Sequence, residues 1–232
     1  MTSAQTFELP SIAFFGRTYR EYIAFFGLND STLPGARVLD VAAGPSSFTV
    51  EATGRGVRAT AVDPLYGMTS EALAGHVQID YRRVLAEIRA KAGMLSFGYF
   101  PTIEAAEESR REAARRFLED YEGGFAGGRY VGGSLPRLPF GDRAFDVVLC
   151  AHFLFLYQRF LDYEGHLRAC LEMCRVSAGE VRIHPVCSLD GLPYAYLDRL
   201  RADLSQRGIS SEVIPVAYGF FAGTGSTLIL RS

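Results

Sequence analysis

The sequence has no excess of positive charge and no hydrophobic run long enough to cross a membrane. Its 24 lysines and arginines stand against 26 acidic residues, for a formal charge of −2, which disfavours a nucleic-acid partner. The apolar runs are far shorter than the roughly 20 residues of a membrane-spanning helix, so no membrane partner is expected. Residues 1–10 lack the basic start and apolar centre of a signal peptide, which predicts a cytoplasmic protein.

Cysteine is scarce, and tryptophan is absent. Four cysteines among 232 residues indicate reduced thiols rather than a disulfide framework. His166, Cys170 and Cys174 recur at metal-like spacing, but one straight helix cannot easily wrap three ligands around an ion, so we predict no metal site. With 48% apolar residues, the chain can form one α/β domain with a full core, or a domain plus a small cap.

Strand-like and helix-like segments alternate along most of the chain. The pattern predicts strands at 38–42, 57–62, 129–131, 145–150 and 181–184. It predicts helices at 11–27, 76–91, 102–121, 153–175 and 193–207, and a short helix that begins after Ser46 or Ser47. This alternation is typical of a doubly wound, mostly parallel α/β sheet. The strands 211–217 and 226–230 follow one another without a helix, which predicts an antiparallel C-terminal hairpin.

The predicted helices at 76–91 and 102–121 interrupt the alternation. The first has an apolar stripe, and the second pairs Glu107 with Arg111 on its outer face. A helical pair at this place can supply substrate walls and exclude water. We therefore expect three parts: an N-terminal helical lid at 1–34, a main domain at 35–232, and within it a helical cap insert at 76–127.

The most informative segment is 37–48 (RVLDVAAGPSSF), in which a buried strand leads into a turn of small residues and a helix start. Small side chains allow the backbone to approach a ligand, and Gly44 can adopt a positive φ. About twenty residues on, Asp63 ends a second strand, where a carboxylate accepts both ribose hydroxyls of an adenosine. An Asp at this place also caps turns, but its spacing from the small-residue turn favours an adenosine cofactor.

A missing glycine narrows the choice of cofactor. Dinucleotide-binding folds use G-x-G-x-x-G, whose third glycine permits close packing of the helix. This chain has Ala42 and Gly44, and then Ser47 where the third glycine would fall. An NAD(P)-dependent oxidoreductase is therefore the less favoured alternative.

The segment resembles the first motif of the class I S-adenosylmethionine-dependent methyltransferases, an acid followed by alternating glycines. Asp40 matches the acid and Gly44 the central glycine, whereas Ala42 and Ser46 replace the glycines on either side. Asp63 matches the family's ribose-binding acid. The turn and the closing strands also resemble a bacterial subgroup of these proteins.

A third block, 133–150, is similar to the same family. Ser134 stands where many relatives have an Asp that holds the adenine amine, so the backbone around Leu135 is expected to carry more of that contact. The terminal hairpin matches the family's antiparallel edge. The resemblance covers roughly 35–75 and 128–232. It implies a Rossmann-like seven-stranded sheet, with S-adenosylmethionine as cofactor and S-adenosylhomocysteine as product.

The resemblance also implies a set of site residues. The expected cofactor contacts are Arg17, Tyr19, Asp40, Ala42, Gly44, Ser46, Asp63, Pro64, Ser134 and Leu135. In this family an N-terminal helix often closes over the methionine end of the cofactor, where Arg17 would pair with the carboxylate. A solvated Arg17 and a core Tyr19 are the alternative.

His152 is the candidate catalytic residue, because it follows the strand 145–150 by two residues at the ligand edge of the sheet. It would act as a general base or as a hydrogen-bond partner of the substrate. The alternative is a histidine that fixes the start of the next helix. His184, at the end of the strand 181–184, has a similar position.

Methyl transfer requires mainly alignment of donor and acceptor, so the lack of an obvious catalytic cluster is compatible with it. We predict a methyltransferase whose partner is a small, partly apolar molecule. The alternative on the same fold is a non-catalytic S-adenosylmethionine-binding or partner-binding protein, which the altered glycines and the missing adenine Asp motivate. The sequence carries no signal for an oligomeric state.

Overall fold

A seven-stranded mixed sheet forms the centre of the molecule. The computed structural model describes residues 9–221 and 223–232. The strands are β1 (Arg37–Val41), β2 (Arg58–Asp63), β3 (Tyr130–Gly132), β4 (Phe145–Ala151), β5 (Ser177–His184), β6 (Ser210–Pro215) and β7 (Ser226–Arg231). Their order is β3-β2-β1-β4-β5-β7-β6. The predicted Rossmann-like, mostly parallel sheet is confirmed.

The parallel part of the sheet changes direction between β1 and β4. Both β2 and β4 pair with β1 in parallel, and β3 and β5 extend the sheet on either side. Ligands bind beyond the carboxyl ends of the strands at such a switch point. On the far edge, β7 lies antiparallel between β5 and β6, which confirms the predicted C-terminal hairpin.

Six helices surround the sheet in the described part of the chain. They are α1 (Tyr19–Phe26), α2 (Phe48–Thr53), α3 (Ser70–Ala90), α4 (Ile103–Ala126), α5 (Tyr163–Val176) and α6 (Leu197–Ser205). The prediction of a helix from residue 11 is wrong, because Thr18 caps α1 in a capping box with Glu21. The first eight residues of the expected lid lie outside the described residues.

Along the chain, the two long helices α3 and α4 follow β2 and precede β3, and they pack against each other. The predicted pair between Glu107 and Arg111 is present at 3.5 Å. The glycines at 123 and 124 do not end α4, which continues to Ala126. The division into lid, main domain and cap insert stays a prediction.

The helix predicted from residue 153 is wrong at its start. Asp162 caps α5, and its side chain accepts the N–H of Gly165 at 2.7 Å. Residues 152–161 instead form turns and a short 3-10 helix (Gln158–Phe160) beyond the end of β4, and several of them line the cavity described below. None of the helices in the two described ranges is both long enough and apolar enough to span a membrane.

Candidate functional site

A cavity of about 670 Å³ opens at the carboxyl ends of β1, β2 and β4. We divide its lining into two parts. The sheet end is formed by residues 41–44, 63–65 and 133–135. The insert end is formed by Val84, Ile88, Met94, Phe220 and Phe221. Of the expected cofactor contacts, Arg17, Ala42, Gly44, Asp63, Pro64, Ser134 and Leu135 line this cavity.

The turn after β1 has left-handed backbone at two positions. Gly44 and Ala42 both have φ of +56°, a conformation that glycine adopts freely and that is strained for alanine. The turn is fixed by Tyr66, whose hydroxyl donates to the carbonyl of Gly44 at 2.6 Å. Ala42 therefore holds a backbone conformation that glycine adopts without strain.

Asp63 joins this turn to the end of β2. Its Oδ2 accepts the N–H of Gly44 and its Oδ1 accepts the N–H of Leu65, both at 3.0 Å. Burial raises the pKa of Asp63 to about 6, although these two N–H groups act in the opposite direction. The carboxylate thus forms the turn and also borders the cavity, and each oxygen keeps acceptor capacity for a ligand.

Asp40 lies beneath the cavity and is not part of its lining. It is fully buried, and the hydroxyl of Tyr22 donates to its Oδ2 at 2.9 Å. Burial raises the pKa of Asp40 well above its usual value. Asp40 therefore connects β1 to α1 from below the site.

Ser46 also stands outside the lining. Its hydroxyl donates to the carbonyl of Arg17 at 2.8 Å and accepts the N–H of Phe48 at 3.1 Å. Tyr19 is likewise remote from the cavity: its ring stacks on Phe48 with centroids 5.6 Å apart, and its hydroxyl donates to Asp30. Both residues fix the N-terminal segment to the domain.

Residues 9–18, which we call the strap, run without helix or strand over the turn after β1 until α1 begins. The N–H of Phe14 donates to Asp80 of α3 at 2.7 Å. At Gly16 an added Cβ would overlap the carbonyl of Pro45. Only glycine permits this approach, so the strap is closely seated on the turn.

Arg17, at the end of the strap, is a buried cation on the cavity wall. Its Nη1 donates to the carbonyls of Phe15 and Gly16 at 2.9 and 3.1 Å, whereas its Nε has no partner. None of the carboxylates in the described ranges forms an ion pair with it. Burial and the nearby charge of Arg110 lower the pKa of Arg17. An unpaired buried guanidinium is costly unless a ligand supplies the anion.

His152 lies where the sheet end and the insert end of the cavity meet. Val41 pairs with Cys150 across β1 and β4, so the chain that carries His152 leaves the sheet beside the turn after β1. Its ring lines the cavity, its φ is +51°, and its Nδ1 is buried without a partner. Burial and the charges of Arg17, His184 and Arg110 lower its pKa well below the usual value.

His184 faces the core. Its ring stacks on Phe25 at 4.8 Å, and its Nδ1 lies 3.0 Å from the hydroxyl of Thr227. Burial lowers the pKa of His184 to about 3. It also accepts the N–H of His152 at its carbonyl, at 2.6 Å. His184 thus holds His152 in place and does not itself line the cavity.

A buried polar cluster at the insert end was not predicted. Glu21 of α1 forms an ion pair with Arg110 of α4, and both side chains are almost fully buried. Tyr218 accepts from Arg110 at 3.1 Å and donates to Glu21 at 3.0 Å. Burial raises the pKa of Glu21, but the Arg110 and Arg17 charges more than compensate and hold it below its usual value. In the sequence, the signal for this cluster was Glu21, an acidic residue that stands among the aromatic residues of α1.

The thiols lie apart from the cavity. Cys170 and Cys174 belong to the core cluster under α5, and burial raises the pKa of Cys174 to about 12. Both ring nitrogens of His166 lie within hydrogen-bond distance of main-chain carbonyls. These contacts account for all three residues as parts of the fold.

Comparisons with known proteins add relatives of this chain. No protein-family model matches it. A protein of Methanocaldococcus jannaschii that is described as uncharacterized is 29% identical over 225 residues, which are 97% of this chain and 98% of that protein. Because this relative is archaeal, it does not confirm the expected bacterial subgroup.

Solved structures of methyltransferases are similar in fold to this chain. A putative S-adenosyl-L-methionine-dependent methyltransferase of Methanococcus maripaludis has a TM-score of 0.48 at 13% identity, covering 92% of this chain and 83% of that one. Magnesium protoporphyrin IX methyltransferase of Synechocystis PCC 6803, solved with bound S-adenosylmethionine, has a TM-score of 0.45 at 13% identity, with 88% and 73% covered. The fold itself is established by the strand order.

Proposed function

We propose that this protein binds S-adenosylmethionine in the cavity and transfers its methyl group to a small-molecule acceptor. The observation that carries the proposal is that Asp63 and the unpaired Arg17 line the same cavity at the switch point of the sheet. A ligand with a ribose and a carboxylate satisfies both side chains at once, since one needs hydroxyl donors and the other needs an anion.

The residues of the sheet end fit the parts of this ligand. Asp63 would accept the ribose hydroxyls, and Arg17 would hold the methionine carboxylate. Pro64, Ser134 and Leu135 would border the adenosine. The small turn that contains Ala42 and Gly44 admits the ligand close to the backbone.

Three of the expected contacts would act indirectly. Asp40 lies below the turn and holds α1 through Tyr22. Ser46 holds the strap through the carbonyl of Arg17, and Tyr19 packs the base of α1 on α2. We propose that they position Arg17 and the turn without touching the ligand.

When bound, S-adenosylmethionine supplies an activated methyl group, whose carbon–sulfur bond breaks with the electron pair left on sulfur. The chain's own residues bind and align both partners and exclude water. The strap and α3 would cover the site from one side. His152 would contact the acceptor beside the turn.

Thermal-shift measurements with S-adenosylmethionine, S-adenosylhomocysteine, NAD and NADP test the cofactor. Saturating S-adenosylhomocysteine should stabilise the protein by a few kcal/mol, about 3 kcal/mol at a hundredfold excess over Kd, whereas the nicotinamide cofactors should have no effect. Stabilisation by NAD or NADP alone would refute the proposal. Arg17→Gln should weaken binding of S-adenosylhomocysteine about tenfold or more, while Arg20→Gln, which changes an exposed neighbour, should not.

A non-catalytic ligand-binding protein on the same fold is the second candidate. The observations that favour it are the replacement of two motif glycines by Ala42 and Ser46, and Ser134 in place of the adenine-binding Asp. Incubation with S-adenosylmethionine and a pool of small metabolites separates the two functions. Release of S-adenosylhomocysteine would support the enzyme, and binding without release would support the second candidate.

We also propose that the protein works in the cytoplasm. All four cysteines are free and buried, and thiols of this kind persist in reducing compartments. Localisation of a tagged chain tests this.

A further inference from the structure

The insert end of the cavity has walls that suit an apolar body. Val84 and Ile88 project from α3, and Met94, Phe220 and Phe221 complete the wall. The N–H of Ser96 donates to the carbonyl of Phe220 at 2.9 Å, so the insert and the segment before β7 are joined by the main chain. An acceptor in this compartment would bury mainly hydrocarbon or ring surface.

The polar groups between the two ends are positive or neutral. The ring of His152 packs edge-on against Tyr218 at 6.2 Å and His184 at 5.1 Å, and burial together with the charges of Arg17 and Arg110 lowers its pKa. Glu21 forms an ion pair with Arg110 and not with Arg17, so this group of three charged side chains keeps a positive charge. The same positive surroundings favour the uncharged imidazole. His152 is therefore suited to donate or accept a hydrogen bond and poorly suited to hold a proton.

The carboxylates near the cavity that the structure describes are already engaged. Asp63 accepts two main-chain N–H groups. Asp80 accepts the N–H of Phe14 at 2.7 Å and pairs with Arg83 at 2.8 Å. Glu21 is bound by Arg110, Thr18 and Tyr218. Once the remaining acceptor capacity of Asp63 is used by the ribose, an acceptor that must lose a proton during the reaction finds no free carboxylate here to take it. His76, the other imidazole on the cavity wall, packs edge-on against Phe14 of the strap.

From these observations, and resting on the proposed function, we infer that the methyl acceptor is an organic oxyanion on an apolar body, namely a carboxylate or an already ionised acidic phenol or enol. Its oxygen brings the electron pair for the new oxygen–carbon bond, and the pair of the broken carbon–sulfur bond stays on sulfur. No proton is transferred, so the product is the neutral methyl ester or ether.

Charge complementarity supports this class over neutral acceptors. Arg17 and the two cationic groups of S-adenosylmethionine outnumber the cofactor carboxylate and ionised Asp63, so this region stays positive. An anion at the junction reduces that charge, and a neutral acceptor does not. The N–H of the His152 imidazole would donate to the anion and orient it.

The test is binding of matched acids and amides, measured by calorimetry on the full chain with saturating sinefungin, a cofactor analogue that carries an ammonium group in place of the methylated sulfonium. The pairs are benzoate with benzamide and 1-naphthoate with 1-naphthamide, which differ mainly in charge. At least one acid should bind about tenfold or more tightly than its amide, because hydrogen bonds to charged groups are the stronger ones. Equal affinities, a preference for the amides, or no binding of any member would overturn the inference.

Binding of S-adenosylhomocysteine is measured first, so that the two proposals fail separately. If it does not bind, the proposed function is refuted. If it binds and the acids bind no more tightly than their amides, only the inference is refuted. A variant extends the test: His152→Asn keeps a residue that tolerates left-handed backbone and offers an amide N–H. It should retain part of the preference for the acid, whereas His152→Gly should lose it.

Discussion

The two ends of the cavity are built from different kinds of contact. The sheet end consists of strand ends and turns, and main-chain hydrogen bonds to Asp63 hold it together. The insert end is assembled from distant parts of the chain, with Glu21, Arg110 and Tyr218 separated by 89 to 197 residues. The sheet end is therefore part of the framework, whereas the insert end depends on a buried ion pair to stay in place.

On the proposed function, this difference would separate the residues that bind the cofactor from those that select the acceptor. A framework site is rigid because its backbone belongs to the sheet. A wall made of a helical insert and a loop can change without disturbing the sheet, since loops around a scaffold vary most freely. We expect changes at the insert end to alter stability and acceptor choice, and changes at the sheet end to alter cofactor affinity.

The largest effect is expected from Glu21→Gln. It leaves the Arg110 guanidinium buried without its counter-charge, which should lower the free energy of unfolding by about 3 kcal/mol or more. Urea unfolding measures this. Glu119→Gln removes an exposed partner of Arg115 and should leave the free energy of unfolding nearly unchanged. Equal effects of the two substitutions would show that the buried pair does not hold the insert.

The next effect is a pH dependence at the sheet end. The pKa of Asp63 is raised from 3.8 to about 6, so the folded protein holds this proton more tightly than the unfolded chain. The resulting stability is fully present below about pH 4 and is lost as the pH rises through 6; it amounts to about 3 kcal/mol. In urea unfolding, the advantage of the wild type over Asp63→Asn should shrink by about that amount from pH 4 to pH 7.5.

The same ionisation should control cofactor affinity. When Asp63 is ionised, both of its oxygens accept hydrogen bonds from the ribose hydroxyls, whereas the protonated form carries an O–H donor on one of them. The affinity for S-adenosylhomocysteine should therefore rise as the pH passes 6 in the wild type and stay flat in Asp63→Asn. Calorimetry at several pH values checks this, and parallel curves for the two proteins would contradict the proposed ribose contact.

Short-range patterns predicted most of the sheet end. The strands around Asp40 and Asp63 and the turn at Gly44 depend on neighbours in sequence, and each was found. The terminal hairpin, at the far edge of the sheet, was found as well. Patterns of this kind do not show whether a side chain reaches the cavity. Asp40 and Ser46 turn inward from it, because α1 and the strap offer them hydrogen-bond partners.

The insert end was predicted much less completely. The helices α3 and α4 were expected from their periodicity, but Arg110 appeared as one of many charges on a helix rich in charged residues. Its burial depends on Glu21 and Tyr218, whose contacts with it arise only in the folded chain. Most of the strap was predicted as part of a helix at 11–27 because that segment is rich in aromatic residues, whereas Gly16 and the cap at Thr18 determine where α1 begins.

A smaller effect is expected where the strap meets the turn. Gly16→Ala places a Cβ against the carbonyl of Pro45 and should lower the free energy of unfolding by about 2 kcal/mol. The matched control is Gly75→Ala in α3, where an added Cβ meets nothing within 4 Å. This control should stabilise the protein by about 1 kcal/mol, since alanine is the better helix former.

Binding of S-adenosylhomocysteine adds a second measurement for the same pair of variants. Gly16→Ala should also weaken binding of S-adenosylhomocysteine, because displacement of the strap moves Arg17. Gly75→Ala should leave the affinity as it is. If Gly16→Ala lowers stability without changing affinity, the strap belongs to the framework alone and not to the site.

The smallest effect concerns the alanine in the turn itself. Ala42 has φ of +56°, which costs an L-residue about 1–2 kcal/mol, while glycine loses about 0.5–1 kcal/mol more backbone entropy on folding. Ala42→Gly should therefore raise the free energy of unfolding by about 0.5–1 kcal/mol. Ala43→Gly, at the next position with ordinary φ, should lower it by a similar amount. If both substitutions destabilise the protein, the turn is not strained, and Ala42 is then held by side-chain packing at the sheet end.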